Sequence, residues 1–245
     1  MADKSFFIDT TKCTACRGCQ IACKQWNRNP GTKTLQRGNH QNPADLSTAT
    51  FKLVRFNEME VPGGEPKWYF FPDQCRHCMS PPCKEVADGK VKGAILQDEK
   101  TGAVIFDSKT KVKPADFKEI REACPYDIPR INAATEVMGK CTMCFDRIKE
   151  GMLPACVKTC PTGAMNFGDR KEILEKANKR LTEVKGRYKD AMLANPDDIR
   201  VIFLLTDDPK KYYKFAVAEN TIGITRKMAL KRLFQPIAHL RHMIG

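Results

Sequence analysis

The stretch Cys13-Thr-Ala-Cys16-Arg-Gly-Cys19-Gln-Ile-Ala-Cys23 sets four thiols at C-x2-C-x2-C-x3-C spacing. Three thiolates two residues apart wrap one face of an iron-sulfur cube, and the fourth, carried onward by a short helix, points toward a second cube. A lone run of this kind also suits zinc or arises by chance. The chain holds 12 cysteines in 245 residues, which argues against chance.

The remaining thiols fall in Cys75-Arg-His-Cys78-Met-Ser-Pro-Pro-Cys83, Cys124-Pro125, Cys141-Thr-Met-Cys144 and Cys156-Val-Lys-Thr-Cys160-Pro161. In paired-cluster runs the fourth cysteine ligates the other cluster, so the first and last groups exchange their final ligands. One expected ligand set is Cys13, Cys16, Cys19 and Cys160; a second is Cys23, Cys141, Cys144 and Cys156. Cys75, Cys78, Cys83 and Cys124 complete a third, and twelve thiols account for three [4Fe-4S] clusters. Zinc is the chemical competitor, but its sites usually pair two separate C-x2-C knuckles. Disulfides are disfavoured because closely spaced C-x2-C pairs suit a metal better than a long-range staple.

A formal charge of +13 at first suggests nucleic acid or an anionic surface. Each oxidised cubane with four thiolates carries roughly −2, which removes much of that excess. Lys12, Arg17, Lys24, Arg76, Lys84, Lys140, Arg147 and Lys158 stand beside cysteines, where they either offset cluster charge or are ordinary solvated cations. At the amino terminus no cationic segment precedes an apolar run, and no window reaches the ~20 apolar residues of a membrane span. Neither a signal peptide nor a transmembrane helix is expected. No phosphate-binding loop, nucleophile elbow or paired-carboxylate signature stands out, so no catalytic residues are assigned.

Along the chain, Phe6 to Asp9 reads as a strand and Gln20 to Trp26 as a short helix. Residues 27–50 lack periodicity and are expected to pack on a partner, a mobile loop being the alternative. Phe51 to Phe56 and Trp68 to Phe71 read as strands, 94–97 and 103–106 as a hairpin, and Asp116 to Ala123 as a helix. After a strand at 164–167, Asp169 is placed to cap a helix bearing Ile173, Ala177, Leu181, Val184 and Tyr188. Ile199 to Leu205 reads as a buried strand and 209–218 as a helix. Residues 221–245 read as a basic amphipathic helix that Pro236 kinks, serving as packing, as a partner contact or as a membrane contact. His77, lying between ligands, is read as a packed residue in preference to a hydrogen-bond donor to the site. Met79, Met143 and Phe145 are expected to line the clusters.

The segments CTACRGCQIACKQW (13–26), FFPDQCRHCMSPPC (70–83), ACPYDIPR (123–130) and CTMCFDRIKEGMLPACVKTCPTGAMNFGD (141–169) resemble the ferredoxin-like iron-sulfur beta subunits of molybdopterin oxidoreductases. Within that superfamily they are most similar to the small subunits of soluble tungsten- or molybdenum-containing formate dehydrogenases. The resemblance implies an α+β fold of two bacterial-ferredoxin-like modules in pseudo-two-fold relation, plus C-terminal helices. Residues 1–60 with 133–170 would form a two-cluster module and 61–132 a module reduced to one cluster. Residues 171–219 would add a helix-strand-helix, and 220–245 the basic tail.

Four-cluster relatives carry further cysteines at the positions of Ala87, Pro114, Phe117 and Ile120, so the resemblance implies that one whole cluster is missing here. It also implies a large molybdopterin-containing catalytic subunit as partner. Electrons would pass from it to the Cys13 set, then the Cys141 set, then the Cys75 set, and out to a soluble acceptor such as a cytochrome c. A periplasmic location by co-export with the catalytic subunit is favoured over the cytoplasm. An electron-transfer subunit of a sulfur-compound or N-oxide reductase and a stand-alone polyferredoxin are the alternatives.

Overall fold

Phe6-Phe-Ile8 and Val201-Ile-Phe-Leu-Leu205 are apolar without alternation, as strands covered on both faces are. The computed structural model, which describes residues 3–218, places them side by side at its centre. In chain order the elements are β1 (Lys4–Asp9), α1 (Gly18–Trp26), β2 (Leu53–Met59), β3 (Lys67–Asp73), α2 (Pro82–Lys90), β4 (Ile95–Gln97) and β5 (Val104–Phe106). Then come α3 (Pro114–Glu122), β6 (Arg130–Ile131), β7 (Met138–Gly139), α4 (Phe145–Lys149), α5 (Ala155–Lys158), β8 (Met165–Asp169), α6 (Arg170–Lys185), β9 (Met192–Leu193), β10 (Val201–Leu205) and α7 (Pro209–Tyr212).

A four-stranded sheet of order β8-β1-β10-β9 organises the molecule. β1 is antiparallel to β8, with Phe6 opposite Phe167, and parallel to β10, with Phe6 opposite Val201. Alternate side chains of β1 and β10 serve two cores. Phe7, Ile202 and Leu204 pack under Ile173, Ala177 and Val184 of α6. Phe6, Ile8, Val201, Phe203 and Leu205 face the other way, onto Phe71, Met165, Cys19 and Cys156. The strand from the expected 171–219 segment therefore lies in one sheet with the strands on either side of the Cys13 and Cys160 groups. β2-β3, β4-β5 and β6-β7 form separate antiparallel pairs.

Several expectations change in detail. Asp169 occupies the cap position of α6, but its carboxylate makes no cap bond and pairs with Lys4 instead. Tyr188 lies beyond the end of α6 and is exposed, because the helix stops at Gly186. α7 ends at Tyr212, not 218: Tyr213 is extended and its ring lies 3.7 Å beneath the Arg55 guanidinium. Of the 27–50 segment, residues 30–38 are exposed, whereas Leu46, Ala49 and Thr50 are buried against the chain itself. Arg55 and Arg130 both pair with Asp45, and Gln20 donates to Asn42 O, which fixes this segment from within. The expected helix at 221–245 lies outside the described residues.

Candidate metal centres

Strands deliver each cysteine loop. β1 enters Cys13 through one 3-10 turn, β3 runs into Cys75, and β7 leads to Cys141. In all three loops the residue two places after the leading cysteine has a positive φ: Ala15 at 53°, His77 at 46° and Met143 at 64°. The reversal turns its N–H back toward the preceding thiol. His77 N–H donates to Cys75 Sγ and Met143 N–H to Cys141 Sγ, both at 3.4 Å, and Ala15 N–H bonds Cys13. The segment leading into β10 holds the second loop in place, since Arg200 donates to Cys78 O at 2.9 Å and Met79 N–H to Asp198 O, and β10 itself holds the first. There Thr10 Oγ1 donates to Leu204 O of β10 at 2.7 Å.

These loops bring the twelve thiols together in three sets of four. Cys13, Cys16, Cys19 and Cys160 line a cavity of about 340 Å³ with Val54, Pro72 and Met165. Cys23, Cys141, Cys144 and Cys156 line one of about 270 Å³ with Phe6, Lys52, Gln74 and Met143. Cys75, Cys78, Cys83 and Cys124 line one of about 320 Å³ with Arg76, Val104, Tyr126 and Lys140. Cys23 thus leaves its own run and faces thiols more than a hundred residues away. The three cavities form a row. Cys156 lies within electrostatic reach of Cys19 and Cys141 of Cys75, so the Cys141 set is the middle one. All four of its cysteines are buried, whereas Cys16 of the first set is exposed and Cys78 and Cys124 of the third are half-buried.

The chemistry of these linings fits a bulky anionic group. No three His, Cys, Asp or Glu side chains among the described residues converge closely enough to hold a single metal ion. The thiols surround a space instead of a point, which disfavours tetrahedral zinc. Donors outnumber acceptors: Gln74 Nε2 and Arg76 Nε, both buried beside a cavity, have no partner in the protein. His77 is wholly buried, its Nδ1 accepts from Val104 N–H at 3.0 Å, and its Nε2 is likewise unpartnered. Burial pushes the Cys13 and Cys124 thiols up to about 11 and Cys141 up to about 12. These thiols become thiolates when a metal displaces the proton. Cys160 differs: burial pushes it up, but N–H bonds from Met165, Thr162 and Ala164 with the Thr162 hydroxyl bring it below the ordinary value.

A 4Fe-4S dicluster domain matches residues 66–170. The chain is 55% identical over 215 residues to the formate dehydrogenase subunit beta of Megalodesulfovibrio gigas, covering 88% of this chain and 99% of that protein. It belongs to the formate dehydrogenase iron-sulfur beta subunits. A second formate dehydrogenase beta subunit, from Nitratidesulfovibrio vulgaris and named with cytochrome c-553, is 54% identical over 87% of this chain and 98% of that protein. The nitrate-inducible formate dehydrogenase iron-sulfur subunit of Escherichia coli is 37% identical, covering 86% of this chain and 72% of that protein. The subunit accordingly carries [4Fe-4S] clusters in an electron-transfer role beside a catalytic subunit.

The four positions at which the resemblance implies further cysteines in four-cluster relatives are mostly core here. Ala87 and Ile120 are fully buried and Phe117 nearly so, in one apolar cluster with Cys83, Val104 and Phe106; Pro114 is exposed. Met143 lines a cavity as expected, whereas Phe145 packs against the main core. Of the cations beside cysteines, Arg76, Lys140 and Arg147 are buried, and Arg147 stacks 4.1 Å from the Trp26 ring. Lys52, buried at 1% exposure, lines the second cavity although no cysteine lies within twenty residues of it in sequence, so its own stretch of chain carries no sign of this role.

Proposed function

We propose that the subunit holds three [4Fe-4S] clusters and conducts electrons between a molybdopterin formate dehydrogenase catalytic subunit and a soluble acceptor, without catalysing a reaction itself. The observation that carries this reading is the row of three four-thiol cavities, with a buried middle set and an outer set nearer the surface at either end. Cys13, Cys16, Cys19 and Cys160 hold the cluster facing the catalytic subunit. Cys23, Cys141, Cys144 and Cys156 hold the middle one, and Cys75, Cys78, Cys83 and Cys124 the outgoing one. When bound, the clusters supply one-electron carriers. The chain's own residues hold them apart, exclude water through Phe6, Met143 and Val104, and offer N–H donors to sulfur.

The apolar core at Ala87, Phe117 and Ile120 supports the loss of one whole cluster, leaving the Cys75 set as the end of the row. The name of the Nitratidesulfovibrio relative supports a cytochrome c as acceptor, and no helix among the described residues is long and apolar enough to cross a membrane. We further infer the two-module arrangement, with 1–60 and 133–170 in one module and 61–132 in the other. The repeated pattern of strand, cysteine loop and positive φ supports it. Co-export with the catalytic subunit places the complex in the periplasm in this reading.

Purification of the native complex tests the proposal. Expected are a large molybdopterin subunit in equal amount, about twelve irons and twelve sulfides per small subunit, and three formate-reducible cubane signals by EPR. A colourless, zinc-loaded small subunit, or one that is isolated and functions alone, would overturn it.

A further inference from the structure

Two buried lysines stand where consecutive cysteine sets meet. Lys52 Nζ donates to Pro72 O at 3.2 Å and to Gln74 Oε1 at 2.6 Å. Pro72 lines the first cavity; Gln74 and Lys52 itself line the second. Lys140 Nζ donates to Val104 O and, at 2.9 Å, to Cys141 O. Val104 and Lys140 line the third cavity, while Cys141 belongs to the second. Each ammonium therefore bridges the walls of two neighbouring cavities.

Neither lysine has a carboxylate partner among the described residues. The other buried cation at these sites, Arg76, is paired with Asp73. The hydrogen bonds of both ammonium groups go to oxygen acceptors, and the Phe106 ring lies 4.7 Å from Lys140 Nζ. A buried charge without a counter-ion is costly, and Lys140 and Lys52 are 4% and 1% exposed. The counter-charge missing from the protein is what anionic clusters on either side would bring.

We propose that Lys52 and Lys140 are redox-tuning cations, each raising the reduction potentials of the two clusters between which it stands. This rests on the three-cluster reading above. Adding an electron to one anionic cluster beside another is opposed by their repulsion, which acts at close range through a medium less polar than water. A fixed positive charge in each gap offsets that repulsion and makes reduction easier on both sides.

The test is potentiometric EPR on the intact complex carrying Lys52→Met or Lys140→Met, with Lys12→Met, an exposed lysine beside Cys13, as control. Iron and sulfide analysis and the wild-type signals come first; fewer than three reducible clusters there would overturn the three-cluster reading and this proposal with it. With three present, each buried-lysine variant should lower the midpoints of two signals and leave the third where it was. The two variants should share one shifted signal, that of the middle cluster, and the double variant should move it by both shifts together. Lys12→Met should move none by as much. Should a methionine variant lose iron, Lys52→Gln and Lys140→Gln, which keep an N–H donor and lose the charge, read the same potentials. Unchanged midpoints, equal shifts of all three signals, or the same pair shifted by both variants would overturn the proposal.

Discussion

The Asp73 carboxylate meets the Arg76 guanidinium at 2.7 Å with both side chains completely buried. Its other oxygen accepts from Arg55 Nε, also at 2.7 Å, and Arg55 reaches on to Asp45 in the 27–50 segment. One carboxylate at the end of β3 therefore fixes the loop that opens the Cys75 set and ties it to the segment packed over α1. Asp73→Asn leaves two buried guanidiniums short of one negative charge, and breaking a buried pair in this way costs about 3–5 kcal/mol. Chemical denaturation followed by circular dichroism should show the loss. Cys75-set signals should weaken before those of the Cys13 set.

The crossing of Cys23 and Cys160 makes a prediction that a reading by nearest neighbours would get wrong. Cys23→Ser should disturb the same EPR signal as Cys156→Ser, and Cys160→Ser the same signal as Cys13→Ser. Each variant should lose up to about four irons of about twelve. If Cys23→Ser and Cys19→Ser altered one common signal, the pairing would be wrong.

At Ile120 the expectation is a packing defect and no redox change. The side chain is fully buried in one apolar cluster with Ala87, Val104, Phe106 and Phe117. Ile120→Ala should destabilise the subunit by about 2–5 kcal/mol, as core truncations do. Iron content and all three midpoints should stay at wild-type values.

Acid stability should depend on Asp207. Desolvation pushes this carboxyl up, but Lys211 at 2.8 Å, the Tyr69 hydroxyl at 2.7 Å and Asp208 N–H outweigh it and hold the group at about 2 against an ordinary 3.8. A depressed carboxyl contributes its full stabilisation above its unfolded value and loses it as pH falls toward the folded one. Asp207→Asn should therefore be less stable than wild type at neutral pH, and the gap should close between about pH 4 and pH 2. Denaturation midpoints measured across that range check the sign.

What the sequence made legible follows from where the information lies. Cysteine spacing, with the exchange of fourth ligands in paired-cluster runs, is enough to say which thiols line a common cavity, and the unbroken apolar runs at Phe6 and Val201 mark the central strands. The positive φ at Ala15 and Met143 is not readable, because neither residue type favours a left-handed turn, and the lone histidine at His77 is too weak a signal; the cysteine loop imposes it. Lys52 escaped notice because its neighbours in space come from β3 and from α1, not from its own stretch of chain. The length of α7 was misjudged for a similar reason: stacking of Tyr213 on Arg55 overrides local helix preference. Short elements such as β6, β7 and α5 offer too few residues for periodicity to register.

The position of β1 bears on how the protein is made. Its two hydrogen-bonded neighbours, β8 and β10, begin at Met165 and Val201, so the first strand synthesised has no partner until most of the chain has left the ribosome. Contacts this distant in sequence form late and slowly. The Cys13 loop hangs from that strand, and its fourth thiol, Cys160, adjoins β8. Metal delivery to the first set is thereby a task for the nearly finished polypeptide, with the thiols of Cys13, Cys16 and Cys19 kept reduced until Cys160 joins them.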